Sequence, residues 1–167
     1  LSLRRQRQMC IRDSDKVVDY APKRSIKTAK TFVLASPSLD APKVPSDKSF
    51  STPVGQGLEL VPLTHPVAPL SPGAKLKAKL LFKGQPIAGQ VVSFIPRGVQ
   101  LKEDFDERYE SKTDAEGVVS FEFKEPNVFL VAAHYEERSD GNDPKYNSIK
   151  YSATMTIHVP NLCGCCE

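Results

Sequence analysis

Three cysteines stand in the last five residues of the chain, in the run Cys163-Gly-Cys-Cys166. Thiolates at this spacing can bind a soft or borderline metal ion such as Cu(I), Zn(II) or Ni(II), or form a disulfide with one thiol left over. A closed structural zinc site needs four ligands, and the 4 cysteines of the sequence include no second pair. Cys163, Cys165 and Cys166 are therefore candidate metal ligands, with a metal-free, redox-labile or lipidated tail as the alternative.

The three histidines differ in how well they suit a metal site. His158 is close to the cysteines in sequence, but we expect it on one face of a strand that need not reach the tail. His134 closes an apolar run, where a single histidine is more often a core or rim residue than a ligand. His65 stands before a proline in a loop, where we expect it to be solvated. We keep His134 and His158 as secondary metal candidates.

The sequence contains no recognisable catalytic motif. It has no nucleophile elbow, phosphate-binding glycine loop, His-Glu-x-x-His pair or dinucleotide fingerprint. The acidic run 103–107 could attract a hard cation, but it lacks the glycine and the ligand spacing of a calcium loop, so we expect a solvated loop. The sequence therefore indicates a non-enzymatic protein.

The elements that would position these residues are strands. In Lys75-Leu-Lys-Ala-Lys-Leu-Leu-Phe82, apolar residues alternate with lysines, and a period of two is typical of a half-buried strand. Seven strand segments, some alternating and one, at 127–135, continuously apolar for most of its length, are separated by turn signals and predict an all-β protein with an immunoglobulin-like antiparallel β-sandwich. These segments are residues 58–63, 75–82, 90–96, 108–113, 119–123, 127–135 and 150–159.

One turn of this sandwich is specified in detail by the run Thr113-Asp-Ala-Glu-Gly117. An aspartate side chain at the second position can accept hydrogen bonds from the backbone that follows it. A glycine at the last position permits the left-handed backbone conformation that a tight turn requires. We therefore expect Asp114 to cap this turn and Gly117 to have a positive φ.

Composition divides the chain into segments. The first fourteen residues read as the translation of a transposase sequencing adapter, so we treat them as a disordered artefact, and we expect the natural N-terminus to be missing. Proline and serine dominate the expected linker. The predicted division is 1–14 adapter-derived, 15–35 the remnant of a truncated N-terminal β domain with one strand at 31–35, 36–56 linker, 57–160 β-sandwich and 161–167 Cys-rich tail.

The charge distribution argues against a nucleic-acid partner. The formal net charge is +3, but four arginines and one aspartate lie in the first fourteen residues, and the rest carries equal numbers of basic and acidic side chains. No basic face is left for phosphate contacts. The sequence also has no apolar run near 18 residues, so we expect no membrane span in this chain.

Several short runs resemble the C-terminal half of a bacterial family of periplasmic proteins. That family was first classed as a domain of unknown function and is described as a nickel or cobalt uptake component, accessory to a membrane transporter. The similarity covers roughly residues 15 to 167 and includes the Cys-rich end. The runs are Ala29-Lys-Thr-Phe-Val-Leu-Ala-Ser-Pro-Ser-Leu-Asp40, Gly57-Leu-Glu-Leu-Val-Pro-Leu-Thr64, Leu81-Phe-Lys-Gly-Gln-Pro-Ile-Ala-Gly89, Thr113-Asp-Ala-Glu-Gly117 and Lys150-Tyr-Ser-Ala-Thr-Met-Thr156.

The resemblance implies a role, a compartment and a partner. It implies a periplasmic or secreted protein that handles Ni(II) or Co(II) for a membrane transporter. The resemblance implies that members of that family begin with a signal peptide and a further β-rich domain, whose histidine near the mature N-terminus is the natural ligand candidate. We expect both to be missing from this chain, as in a truncated member. The turn pattern is also similar to carboxypeptidase-regulatory-like and transthyretin-like modules, which indicates fold alone. The alternative is a structural or adhesive immunoglobulin-like module that binds no metal.

Overall fold

The computed structural model describes residues 22–35, 48–67, 70–138 and 146–161, and almost all of its regular structure is β-strand. The strands are β1 Lys23–Lys30, β2 Leu58–Pro62, β3 Lys75–Phe82, β4 Gln85–Pro86, β5 Val91–Pro96, β6 Glu110–Lys112, β7 Val118–Glu122, β8 Asn127–Arg138 and β9 Ser148–Val159. A single 3-10 turn at Ser49–Ser51 is the one helical element in this part of the chain. No helix within it is long and apolar enough to cross a bilayer.

The strands form two sheets that pack face to face. One sheet has the order β1-β9-β8-β5-β6, and in the other β3 pairs with β2, β4 and β7. Every pairing is antiparallel except that of β1 with β9. The prediction of an all-β sandwich is confirmed, and the seven strand segments expected from the sequence correspond to β2, β3 and β5 to β9.

The core lies between the inward faces of the two sheets. It forms because apolar residues face inward along the longer strands, so one face of each sheet can be buried against the other. Phe94 of β5 stacks on Phe121 of β7, with ring centroids 4.3 Å apart, and so joins the two sheets. The largest fully buried apolar side chains are Phe94, Phe123, Phe129, Leu58, Leu60, Leu76, Leu80, Met155, Ile157, Val92 and Val119.

Strand β1 is the main departure from the sequence prediction. The strand expected at residues 31–35 is wrong, because β1 comes earlier, at Lys23–Lys30, and residues 31–35 lie outside any strand. This polar segment pairs with β9 along all eight of its residues. Residues 15–35 were expected to lie outside the sandwich, but the part of them that forms β1 is the edge strand of the five-stranded sheet. Pairing with β9, not apolar alternation, makes this segment a strand.

Side chains of β1 also join it to β2 across the edge of the sandwich. The Thr28 hydroxyl donates a hydrogen bond of 3.2 Å to the Leu58 carbonyl. Two residues further along, the Lys30 ammonium donates one of 3.2 Å to the Leu60 carbonyl. The two strands therefore run in the same direction, and β1 closes this edge between the sheets.

A buried carboxylate organises this edge. Glu59 of β2 is only 1% exposed, and its side chain accepts an ion-paired hydrogen bond from Lys30. It also accepts backbone hydrogen bonds from Val54 at 2.7 Å, Gly55 at 3.0 Å and Gln56 at 3.1 Å. Burial disfavours the charged form, but the bonds from Lys30 and from the backbone outweigh it, so the pKa of Glu59 lies below its usual value. Glu59 thus ties together β1, β2 and the segment that leads into β2.

The predicted turn before β7 is confirmed. The Asp114 carboxylate accepts hydrogen bonds from the backbone N–H of Glu116 at 3.1 Å and of Val118 at 2.7 Å. Gly117 has a φ of +74° and is packed closely, since an added Cβ would lie 2.9 Å from the Pro86 side chain and 3.0 Å from the Leu80 carbonyl oxygen. Both the backbone conformation and the space at this position therefore require glycine.

We expect Glu59→Gln to lower the free energy of unfolding by about 2–4 kcal/mol at neutral pH, because it leaves the largely buried Lys30 ammonium without a counter-charge. Urea denaturation followed by circular dichroism measures this loss. The matched control is Glu122→Gln, which removes an exposed ion pair with Lys75 of 3.5 Å. Glu122→Gln is expected to lower the free energy of unfolding by less than about 0.5 kcal/mol.

The pH dependence of this difference follows from the lowered pKa of Glu59. A lowered folded-state pKa means that the ionised carboxylate stabilises the fold above the unfolded value near 4.5, and that this contribution is lost as the pH falls through the folded pKa. The gap in stability between the wild type and Glu59→Gln should therefore shrink on acidification. A gap of the same size at neutral and strongly acidic pH would contradict this account.

Substituting Gly117 by alanine should lower the free energy of unfolding more than the same substitution in a turn with open space around the glycine. Gly98 also has a positive φ, of +84°, but an added Cβ there meets nothing within 4 Å. We expect Gly98→Ala to lower the free energy of unfolding by about 1 kcal/mol, because alanine disfavours the positive φ. Gly117→Ala should cost roughly 1–3 kcal/mol more because Pro86 and Leu80 must move. Equal losses in thermal or urea denaturation would show that packing at Gly117 does not matter.

Candidate metal centre

His158, one of the predicted metal ligands, lies at one end of the sandwich, where the chain leaves β9. We call this the tail end. Because β1 and β2 run in the same direction as β9, they end there too, at Lys30 and Pro62. The connections that meet at the tail end are residues 31–35, 63–67, 70–74, 97–109, 123–126 and 160–161.

The cysteines Cys163, Cys165 and Cys166 lie outside the described residues, which stop at Asn161. Cys163 follows His158 by five positions, so the chain between them can span at most about 17 Å. The described ranges contain no group of three His, Cys, Asp or Glu side chains that could hold a metal ion. A complete set of protein ligands at this end would therefore have to include tail thiolates.

His158 lies at the tail end, one residue before the end of β9. Its side chain is exposed on the outer face of the five-stranded sheet, opposite Val128 of β8. No hydrogen bond engages its ring within the described part of the chain. It borders a cleft of about 230 Å³ whose walls include Thr31 and Phe32 from the segment after β1. Of the two histidines named from the sequence, His158 is the one that the fold puts next to the tail.

His65 belongs to the same end, although the sequence interpretation favoured a solvated loop. The residue is half-buried, and its ring packs against Phe50 with centroids 4.7 Å apart. Its Nδ1 accepts a hydrogen bond of 3.3 Å from the Val67 backbone, which leaves Nε2 as the nitrogen that could bind a metal. The cleft beside His65 and the cleft beside His158 share Phe32, Pro66 and Val67. The Phe50 contact is long-range, and no local sequence signal indicates it.

His134 lies in the other half of the sandwich. It is opposite Ser152 on β9, six residues from His158 along that strand, which corresponds to about 20 Å. Its Nδ1 is 2.9 Å from the Ser152 hydroxyl. Partial burial, together with the positive charges of Lys150 and Lys27, holds the pKa of His134 below 6.5. These lysines also repel a cation, so the structure does not bring His134 into the candidate centre.

The acidic run 103–107 is not simply a solvated loop, as the sequence suggested. Asp106 is fully buried, and its carboxylate accepts two hydrogen bonds from the Arg108 guanidinium, at 2.9 Å and 2.7 Å. The backbone N–H of Lys102 and of Arg108 also donate to it, at 3.3 Å and 3.2 Å. The bonds from Arg108 hold the pKa of Asp106 well below its usual range. With its oxygens so occupied, Asp106 organises the loop between β5 and β6.

We expect His134 to titrate below 6.5 in a proton NMR titration of the histidine rings. Lys27→Gln should raise this pKa, because it removes one of the charges that oppose protonation. Lys77→Gln, a matched change of an exposed lysine on β3 of the opposite sheet, should leave it unchanged. If the pKa of His134 is the same in Lys27→Gln as in the wild type, the charge of Lys27 does not affect the protonation of His134.

Comparison with known proteins gives one result. Residues 13–137, most of the 167-residue chain, match a family model described as Domain of unknown function (DUF4198). No curated protein and no solved structure matches the chain. The match agrees with the resemblance drawn from short motifs as far as the class of family, and it names no function, metal or partner. The chain belongs to the DUF4198 family.

Proposed function

We propose that this chain is a non-enzymatic exported protein that binds Ni(II) or Co(II) at the tail end and presents the ion to a component of a membrane transporter. The observation that carries the proposal is that His158 lies one residue before the end of β9 and five positions before the first of three cysteines. The metal in this proposal is cargo, which must be both bound and released.

The chemistry of the donor set supports the choice of ion. Thiolates are soft ligands and imidazole is a borderline one, and both suit late divalent metals better than Mg(II) or Ca(II). Thiols must lose their protons to bind, so affinity should rise with pH. His158 and His65 offer imidazole nitrogens from two different segments at the tail end. A site of this composition would select against hard cations.

The position of the donors also suits a carrier. The tail follows β9, which pairs with β8 over twelve residues and with β1 on its other side. Its starting point is therefore fixed relative to the sandwich, while the exposed side chain of His158 leaves this end open to a partner. The motif resemblance to nickel and cobalt uptake components supports the periplasmic or secreted location and the transporter as partner.

Titration with Co(II) tests the proposal, because cobalt bound to thiolates gives charge-transfer absorption that oxygen and nitrogen ligands do not. We expect the reduced chain to develop this band and the triple variant Cys163→Ser, Cys165→Ser, Cys166→Ser to lose it. The matched control is Cys10→Ser, which removes the fourth cysteine and should leave the band unchanged.

A pair of histidine variants then separates the two candidates on β8 and β9. His158→Ala should weaken Co(II) binding by at least about tenfold if its ring is a ligand. His134 lies about 20 Å from His158 along the sheet, so His134→Ala should not change the affinity for Co(II). Absence of the band in the wild type, or its survival in the triple cysteine variant, would overturn the metal proposal and favour a structural or adhesive module.

A further inference from the structure

A separate pocket opens at the tail end on the opposite edge of the sandwich from β1. It has a volume of about 270 Å³ and lies between β6 and β7, the edge strands of the two sheets on this side. None of its lining residues borders the clefts beside His65 and His158, so the pocket is distinct from the candidate metal centre. Its walls are formed by Arg108, Tyr109, Phe121, Lys124, Glu125 and Phe129.

The floor of the pocket is aromatic and held rigidly by the core. The rings of Phe121 and Phe129 have centroids 6.3 Å apart. Phe121 stacks on Phe94 at 4.3 Å, and Phe129 packs against Phe123 at 4.7 Å. Phe121 is not fully buried, unlike its neighbours. A small apolar group placed in the pocket would cover this surface without displacing a core side chain.

The rim of the pocket carries a guanidinium whose position is already fixed. The buried carboxylate of Asp106 binds the Nε and Nη2 atoms of Arg108, and the guanidinium lies 5.2 Å from the centre of the Tyr109 ring. The Arg108 side chain nevertheless remains 56% exposed, and its Nη1 forms no hydrogen bond to the other described residues. A donor fixed in advance loses little conformational entropy when it binds an anion.

We infer that this pocket binds a small organic carboxylate, with its apolar group on the exposed part of Phe121 and its carboxylate bonded to Arg108 and Lys124. The volume favours a single ring with a short acidic chain, because pockets for larger ligands start near 300 Å³. Asp106 offsets the charge of Arg108 from below, and Lys124 forms no ion pair with the other described residues. Lys124 therefore supplies the attraction for the anion, which the carboxylate of Glu125 in the lining opposes. The inference does not depend on the metal proposal.

Phenylacetate is a suitable probe, and phenylacetamide is its neutral counterpart of nearly the same shape. In NMR titrations of the full chain labelled with ¹⁵N, phenylacetate should cause saturable shifts at the amides of Tyr109 and Lys124. Phenylacetamide should bind about tenfold more weakly, because it cannot form charge-assisted hydrogen bonds. Equal affinities for the two compounds, or shifts confined to other parts of the chain, would overturn the inference.

Variants identify the groups that recognise the carboxylate. Lys124→Gln should weaken phenylacetate binding by about tenfold and leave phenylacetamide binding unchanged. Lys102→Gln, an exposed lysine of the connection between β5 and β6 that does not line the pocket, is the matched control and should have no effect. Arg108→Gln also deprives Asp106 of its partner, so Lys124→Gln is the deciding variant. Unchanged phenylacetate affinity in Lys124→Gln would refute the proposed recognition, whatever the tail cysteines do with Co(II).

Discussion

The buried carboxylate of Glu59 is the interaction on which the arrangement of this edge of the sandwich depends. An ionised carboxylate without partners would be strongly disfavoured at a position that is 1% exposed. Here four hydrogen-bond donors satisfy it, the Lys30 ammonium and the backbone N–H of Val54, Gly55 and Gln56. Because these donors come from two segments far apart in sequence, neither segment can shift without leaving a buried charge unpaired.

This constraint determines what surrounds the C-terminal strand. With Lys30 bound to Glu59, β1 occupies the edge beside β9, and β9 becomes an inner strand with neighbours on both sides. The segment after β1 is then directed to the tail end, where Phe32 contributes to the clefts beside His65 and His158. A polar ion pair at one edge of the core therefore fixes the surroundings of residues that can carry chemistry.

The sequence predicts what local patterns encode and misses what long-range pairing creates. Alternation and short apolar runs bounded by turn signals identified β2, β3 and β5 to β9, and Asp114 and Gly117 defined their turn, because each signal lies within a few residues. Strand β1 escaped prediction because its inward face includes Thr28 and Lys30, whose partners on β2 are about thirty residues away. The miss at Asp106 has a different cause, because its partner Arg108 is only two residues away: strand alternation carries no information on how a carboxylate is paired within a loop.

The choice of histidine ligands for the candidate metal centre also depends on pairing between distant segments, which the sequence does not reveal. Alternation places both His134 and His158 on the outward face of the sheet, so sequence alone cannot decide between them; the register with Ser152 separates them by about 20 Å. Side chains about 20 Å apart along a sheet cannot bind the same metal ion, so protein ligands that join His158 must come from segments that meet at its own end of the sandwich. By that criterion His65, which the sequence favoured as a solvated loop residue, is a better partner for His158 and the tail thiolates than His134.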